Sequence, residues 1–181
     1  MQYRKLGSTD IELSIIGFGG IVVMNRSQDE ADAEVAQAFD AGIRYFDVAP
    51  QYGDAQQRLG PALEPYRDQV ALACKTLQRT AEGAAAELDD SLRKLRTDHF
   101  DIYQMHSLSK AGDVDTALGD GGAIETFLRA KEQGKVRYIG FSAHDQDQAL
   151  TAIDSGHFDT VLYPLNFRTW HEADFGPPVI E

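Results

Sequence analysis

The chain has 181 residues, a formal net charge of -12, 43% hydrophobic residues and 25% charged residues. A chain of this length and composition typically folds as one domain around one core. The acidic excess argues against a nucleic-acid binder, no apolar run is long enough to cross a bilayer, and the N-terminus lacks the apolar stretch of a secretory signal.

The first residues predict a β-hairpin. Two stretches in which apolar and polar residues alternate, 2–6 and 11–15, flank the turn-like sequence GSTD. Six compact apolar runs follow, each too short for a typical helix and several rich in β-branched or aromatic residues. We expect strands at Ile15–Phe18, Ile43–Val48, Val70–Cys74, Phe100–Met105, Val136–Phe141 and Thr160–Leu165.

Segments with a helical pattern separate these runs. The segment after Thr80 repeats apolar residues at helical spacing, with Thr80 as the N-cap. Further helices, each ending at a glycine, are expected at Asp29–Ala41, Ala123–Gln133 and Asp145–Ser155, and another begins with two prolines at 177–181. Strands that alternate with helices indicate βαβ units and a parallel sheet.

Two parallel-sheet architectures fit this alternation. A doubly wound dinucleotide-binding fold should carry G-x-G-x-x-G after its first strand, at the start of a helix. Here the run Gly17–Gly20 lacks the third glycine, and residues 21–24 do not predict a helix. A TIM (β/α)8 barrel instead places reactive residues at the carboxyl ends of several strands.

Ionisable residues lie at three of the predicted strand ends. Asp47, Lys75 and His106 end the second, third and fourth strands, and Tyr52 follows in the loop after Asp47. Each residue alone has an ordinary structural explanation, such as loop capping or an outward-pointing lysine. Because the ends of parallel strands share one rim, the four together indicate a single site.

These four residue types suit the reduction of a carbonyl group. A lysine near a phenol favours the phenolate, and an aspartate compensates the partly buried lysine. The tyrosine can then give a proton to a carbonyl oxygen, to which the histidine donates a hydrogen bond. No side chain supplies hydride, so the set implies a nicotinamide cofactor.

The segments that carry these residues resemble the aldo-keto reductase family. Residues 42–53 resemble the family signature that contains the catalytic aspartate and tyrosine. Residues 72–76 resemble the strand that carries the catalytic lysine, and residues 98–106 resemble the strand that carries the catalytic histidine. Residues 3–7 and 13–20 are similar to the family's N-terminal hairpin and first strand. The resemblance covers essentially the whole chain. It implies a TIM (β/α)8 barrel, an aldehyde or ketone substrate, NADPH or NADH as cofactor, and catalytic roles for Asp47, Tyr52, Lys75 and His106.

The resemblance also implies cofactor contacts. Ser142 and Asn166, which follow the fifth and sixth strands, are expected to bind the carboxamide group of the nicotinamide. Gly20, at the end of the first strand, is expected to contact the cofactor. Ala143 stands where many members have an asparagine, which predicts fewer contacts to the carboxamide. Residues 142–145 are similar to a bacterial branch whose longer members append iron–sulphur domains, but one cysteine cannot bind such a cluster.

The remaining candidate residues indicate neither a reactive cysteine nor a metal site. Cys74 fits a buried apolar position, and as the single cysteine it suits a reducing compartment, so we expect a cytoplasmic protein. The other histidines lack metal-ligand spacing: His99, His144, His157 and His171.

The number of strands predicts an incomplete barrel. Six barrel strands are expected, whereas a closed TIM barrel needs eight and typically about 250 residues. We therefore expect one partial barrel domain over residues 1–181, which is unstable, self-associates through its open strand edges, or comes from a truncated gene. The resemblance implies that the missing part holds much of the adenosine and 2′-phosphate site. A reductase and a fragment that binds cofactor weakly or not at all both stay open, while the glycine pattern disfavours a doubly wound dehydrogenase.

Overall fold

The computed structural model describes residues 1–172 and 176–180. It begins with an antiparallel hairpin of β1 (Tyr3–Lys5) and β2 (Glu12–Ser14), as predicted. Ile11 of the hairpin packs with Ala73 and Ile102, apolar residues that point into the interior of the main sheet. The hairpin therefore closes the amino ends of the strands.

The main sheet has six parallel strands, and each pairs with the next strand in the chain. The strands are β3 (Phe18–Gly19), β4 (Tyr45–Asp47), β5 (Ala71–Thr76), β6 (Phe100–Met105), β7 (Val136–Ser142) and β8 (Thr160–Leu162). This sequential parallel order, with helices between the strands, is an incomplete TIM barrel and confirms the predicted fold class.

Eight helices connect or follow the strands within residues 1–172 and 176–180. They are α1 (Gln28–Asp40), α2 (Ala55–Leu63), α3 (Ala81–Lys94), α4 (Asp113–Leu118), α5 (Ala123–Glu132), α6 (Gln146–Asp154), α7 (Phe167–Glu172) and α8 (Pro177–Ile180). Thr80 caps α3 as predicted, because its hydroxyl accepts a hydrogen bond from the Gly83 amide. None of these helices is both long and apolar enough to cross a membrane.

The strands have two different faces. Phe46, Leu72 and Tyr103 point outward and pack in the large core between the sheet and the helices. Side chains alternate along a strand, so the neighbouring residues Asp47 and Ala73 point to the barrel interior. This alternation brings polar residues from several strands into the interior, at the carboxyl ends.

Several predicted boundaries were wrong. The strand predicted at Ile15–Phe18 begins only at Phe18. Before it, the Ser14 hydroxyl donates to the Ile16 carbonyl and accepts from the Arg44 amide, so this backbone is hydrogen-bonded by a side chain. β8 ends at Leu162 rather than Leu165, two residues before Pro164, which lacks an amide proton for the ladder. After β3 the chain forms a short 3-10 turn at Gly20–Val23, where the sequence predicts no α-helix.

Candidate active site

A cavity of about 300 Å³ opens at the carboxyl ends of the strands. It is lined by Asp47, Tyr52, Lys75, His106, Ser142, His144, Leu162, Tyr163 and Pro164. Asp47 and Ser142 are the last residues of β4 and β7, Lys75 is the next to last of β5, and His106 directly follows β6. The structure thus brings the four predicted catalytic residues into one site.

Lys75 and Asp47 form an ion pair in which the lysine is buried and the aspartate is partly buried. Lys75 is 1% exposed, and its Nζ contacts Asp47 Oδ1. Burial raises the pKa of Asp47, and the adjacent ammonium of Lys75 opposes that shift. The pair thereby places a compensated positive charge at the base of the cavity.

Tyr52 lies beside both the ammonium and the imidazole. Lys75 Nζ is 5.6 Å from the centre of the Tyr52 ring, and the His106 ring meets it edge-on at a centroid distance of 6.3 Å. The loop before Tyr52 turns tightly, because the Tyr52 amide donates to the Ala49 carbonyl at 3.0 Å. Gly53 follows with a φ of 54°, a left-handed conformation that glycine adopts without steric cost.

His106 is held as a neutral imidazole near pH 7. Burial lowers its pKa to about 4, and the positive charges of Lys75 and Arg79 add to the effect. Its amide donates to the Thr76 carbonyl at 2.8 Å, and its Nδ1 is 3.1 Å from Gln51 Oε1.

We expect this lowered pKa to make the stability of the chain depend on pH. The unfolded histidine, with its ordinary pKa of 6.5, binds a proton more tightly than the folded one. The contribution of His106 to the free energy of unfolding is therefore complete above about pH 6.5 and is lost as the pH falls towards about 4. Urea unfolding of the parent and His106→Asn should show a difference that shrinks between about pH 7 and about pH 5; a constant difference would contradict the shift.

Arg79 fixes the backbone that carries His106. Its Nη2 donates to the carbonyls of His106 and Ser107, at 2.7 and 3.0 Å. Ser107 has a φ of 55°, which is unusual for a residue other than glycine and requires support from its surroundings. Arg79 therefore stabilises the turn that leads out of β6.

Ser142 supports the same turn from the neighbouring strand. Its Oγ, in a side chain buried at the end of β7, accepts a hydrogen bond from the Ser107 amide at 2.8 Å. Because a hydroxyl can both accept and donate, the Ser142 proton stays available for a ligand in the cavity.

The other two predicted cofactor residues do not line the cavity. Gly20 is buried against β4, where an added Cβ would lie 2.8 Å from Val48 Cγ2 and 3.1 Å from the Asp47 carbonyl oxygen. Asn166 is exposed and caps α7, since its Oδ1 accepts from the amides of Arg168 and Thr169 at 3.1 and 3.0 Å. Both residues have a structural role here, and their cofactor roles stay predictions.

His144 is a cavity residue that the sequence reasoning missed. It was grouped with histidines lacking metal-ligand spacing, and no metal-binding group of three or more His, Cys, Asp or Glu residues occurs in the described parts of the chain. Its amide donates to Ser109 Oγ at 3.1 Å, and it lies two residues beyond Ser142. Position just past a strand end was the signal that could have identified it.

A larger cavity, of about 550 Å³, lies at the opposite ends of the strands, beside the hairpin. Two of its arginines are paired with one buried aspartate, since Arg67 and Arg137 reach Asp101 at 3.1 and 2.7 Å. Residues at the amino ends of barrel strands typically serve stability. We therefore place the functional site at the smaller cavity.

Comparisons with known proteins identify the family to which the sequence is similar. Residues 15–175 match the sequence profile described as "Aldo/keto reductase family". The chain is 31% identical to L-galactose dehydrogenase of Arabidopsis thaliana over 90% of this chain and 56% of that protein, and 31% identical to the aldo-keto reductase YhdN of Bacillus subtilis over 92% and 54%.

Solved structures of aldo-keto reductases have a similar fold. An aldo-keto reductase from Bacillus halodurans, solved in its holo form, superposes with a TM-score of 0.78 and 26% identity over 91% of this chain and 58% of that one. The chain spans about half the length of the curated relatives it matches. From the family match over residues 15–175 and the shared barrel, the chain belongs to the aldo/keto reductase family.

Proposed function

We propose that this chain carries the chemical centre of an NAD(P)H-dependent reductase that converts aldehydes or ketones to alcohols. The observation that supports this most directly is the convergence of Asp47, Tyr52, Lys75 and His106 on one cavity. The partly apolar lining, with Leu162 and Pro164, suits a small carbonyl compound.

Each polar residue has a distinct part in the proposed reaction. Tyr52 gives the proton to the carbonyl oxygen, and the ammonium of Lys75 stabilises the phenolate that forms. Asp47 compensates the charge of Lys75 in the buried site. His106 orients the substrate oxygen through a hydrogen bond.

The donor groups present fit the nicotinamide end of a cofactor. A bound reduced nicotinamide supplies the hydride that no side chain provides. The buried Ser142 hydroxyl has a proton free to donate to a carboxamide oxygen. Gly20 and Asn166 are proposed as further cofactor contacts by family resemblance, and the holo form of the Bacillus halodurans relative is consistent with a cofactor in this fold. We propose NADPH as the cofactor, with NADH as the alternative.

The direct test is cofactor oxidation by the purified chain. The decrease of NADPH absorbance is followed with a panel of small aldehydes and ketones, with NADH in parallel. Turnover above the rate without substrate supports the proposal. Cofactor binding without turnover of any carbonyl would contradict it.

A second candidate function is that of a non-catalytic fragment of the family that binds cofactor weakly or not at all. It is favoured by the positions of Gly20 and Asn166, which lie outside the cavity that contains Ser142. Calorimetric titration with NADPH, combined with the assay above, separates the two candidates. The absence of turnover, with weak binding or none, supports the second candidate.

We further propose that the chain self-associates through its open strand edges. β3 and β8 each pair with one neighbour, and Val161 on β8 is 41% exposed. Exposed edge strands favour pairing between molecules, and a lysine on the edge opposes it. Size-exclusion chromatography should show oligomers that Val161→Lys reduces, whereas Leu128→Lys on the exposed face of α5 should not; a monomeric parent would contradict the proposal.

The composition supports a proposal about the class of substrate and the cellular compartment. We propose a small-molecule substrate in the cytoplasm, because the net charge of -12 disfavours nucleic-acid binding and the single cysteine suits a reducing compartment.

A further inference from the structure

His144 is a second histidine on the wall of the candidate active site, and it lies nearer the mouth of the cavity than His106. Both residues line the cavity. β6 and β7 pair in parallel with Met105 opposite Phe141, so the next residues along the two chains, His106 and Ser142, lie side by side. His144 follows Ser142 by two residues, which is up to roughly 7 Å of extended chain. It is therefore placed beyond the level at which His106 faces the carbonyl group.

The loop after β6 fixes the backbone of His144. The His144 amide donates to Ser109 Oγ at 3.1 Å, and the Leu108 amide donates to the Ser142 carbonyl oxygen at 2.8 Å. These bonds join the loops that follow β6 and β7. The residue itself is exposed, and within residues 1–172 and 176–180 no hydrogen bond holds its imidazole. The ring is thus available to a ligand on a backbone that is held in place.

The cavity has two unlike walls. The chain at the ends of β6 and β7 forms a polar wall with His106, Ser142 and His144, and the segment 162–164 forms a partly apolar wall with Leu162 and Pro164. A substrate whose carbonyl oxygen is held by His106 places its substituents between these walls. A polar substituent is stabilised on the side of His144, and an alkyl substituent on the opposite side.

We propose that His144 is a specificity-determining residue that binds a hydroxyl group on the first or second carbon beyond the carbonyl carbon of the substrate. A neutral imidazole has one donor and one acceptor nitrogen, and a protonated imidazole has two donors. A hydroxyl group both donates and accepts, so it can pair with His144 in each of these states. The inference rests on the proposed function, because it takes the carbonyl group to be reduced in this cavity.

Two aldehydes of similar shape test the inference. In 2-methylbutanal each hydroxyl of glyceraldehyde is replaced by a methyl group. The value of kcat/KM is measured for both with NADPH and the full chain, and the ratio of glyceraldehyde to 2-methylbutanal is compared between variants. His144→Leu should lower this ratio by about tenfold, the effect of losing one hydrogen bond to a neutral group. His144→Gln keeps a donor and an acceptor and should retain most of the ratio.

The matched control is His157→Leu. His157 is an exposed histidine in the loop that enters β8, at the opposite ends of the strands, and its replacement should leave the ratio unchanged. An unchanged ratio in His144→Leu would overturn the inference, even if both rates fell together as they would if His144 contacted the cofactor. An equal drop in His144→Gln would also overturn it. In both cases turnover by the parent would still support the proposed function, whereas a parent that reduces no carbonyl compound would contradict that function and this inference with it.

Discussion

Replacing Tyr52 with phenylalanine should lower the rate of NADPH-dependent aldehyde reduction by about 100- to 10,000-fold, the range expected when a general acid is removed. The phenyl ring still fills the space beside Lys75 and His106, but no hydroxyl remains to protonate the substrate oxygen. The loss should therefore appear in kcat, with little change in the affinity for NADPH measured by calorimetry.

The matched control is Tyr66→Phe. Tyr66 stacks on Phe39 at a centroid distance of 4.3 Å, among the helices and away from the cavity. The same loss of a hydroxyl should leave the reduction rate essentially unchanged there. Equal rates for the parent and Tyr52→Phe, in an active preparation, would mean that another group provides the proton.

Replacing Lys75 with methionine should lower the free energy of unfolding by up to about 3–5 kcal/mol, because it leaves the partly buried Asp47 carboxylate without its partner. Adding Asp47→Asn to this variant removes the uncompensated charge and should recover much of the loss. Urea unfolding of the parent, both single variants and the double variant forms a thermodynamic cycle that isolates the coupling between the two side chains.

An exposed ion pair provides the control for this cycle. Lys135 Nζ contacts Asp89 Oδ1 at 2.7 Å, but both side chains are well exposed. Pairs of this kind contribute about 0–1 kcal/mol, so Lys135→Met should have a small effect. A cost for Lys75→Met as small as that for Lys135→Met would show that burial of the first pair has no energetic consequence.

The sequence predicts the elements whose pattern is local and repeated. Thr80 has the side chain and spacing of an N-cap, and the buried run Phe100–Met105 forms a strand with the predicted bounds. Asp47, Lys75 and His106 could be grouped in advance because the carboxyl ends of parallel strands meet at one rim, whatever the details of the loops.

The other features of the fold and of the site depend on tertiary contacts that the sequence pattern does not show. The helix Ala55–Leu63 contains Gly60 and Pro61, which normally interrupt a helix; here an added Cβ on Gly60 would lie 2.4 Å from the Lys94 carbonyl oxygen, so the glycine permits close packing between helices. The positions of Gln51 and His144 follow from loop conformations beyond the strand ends.

Arg79 has two effects on His106, one through a hydrogen bond and one through its charge. Its hydrogen bond to the His106 carbonyl positions the ring, and its positive charge keeps that ring from binding a proton. A substitution that removes the charge together with the donor groups, such as Arg79→Leu, lets the histidine titrate nearer neutral pH but also leaves the turn supported by Ser142 alone. A change elsewhere, such as a carboxylate at position 51, alters the charge around the imidazole and leaves its backbone support intact.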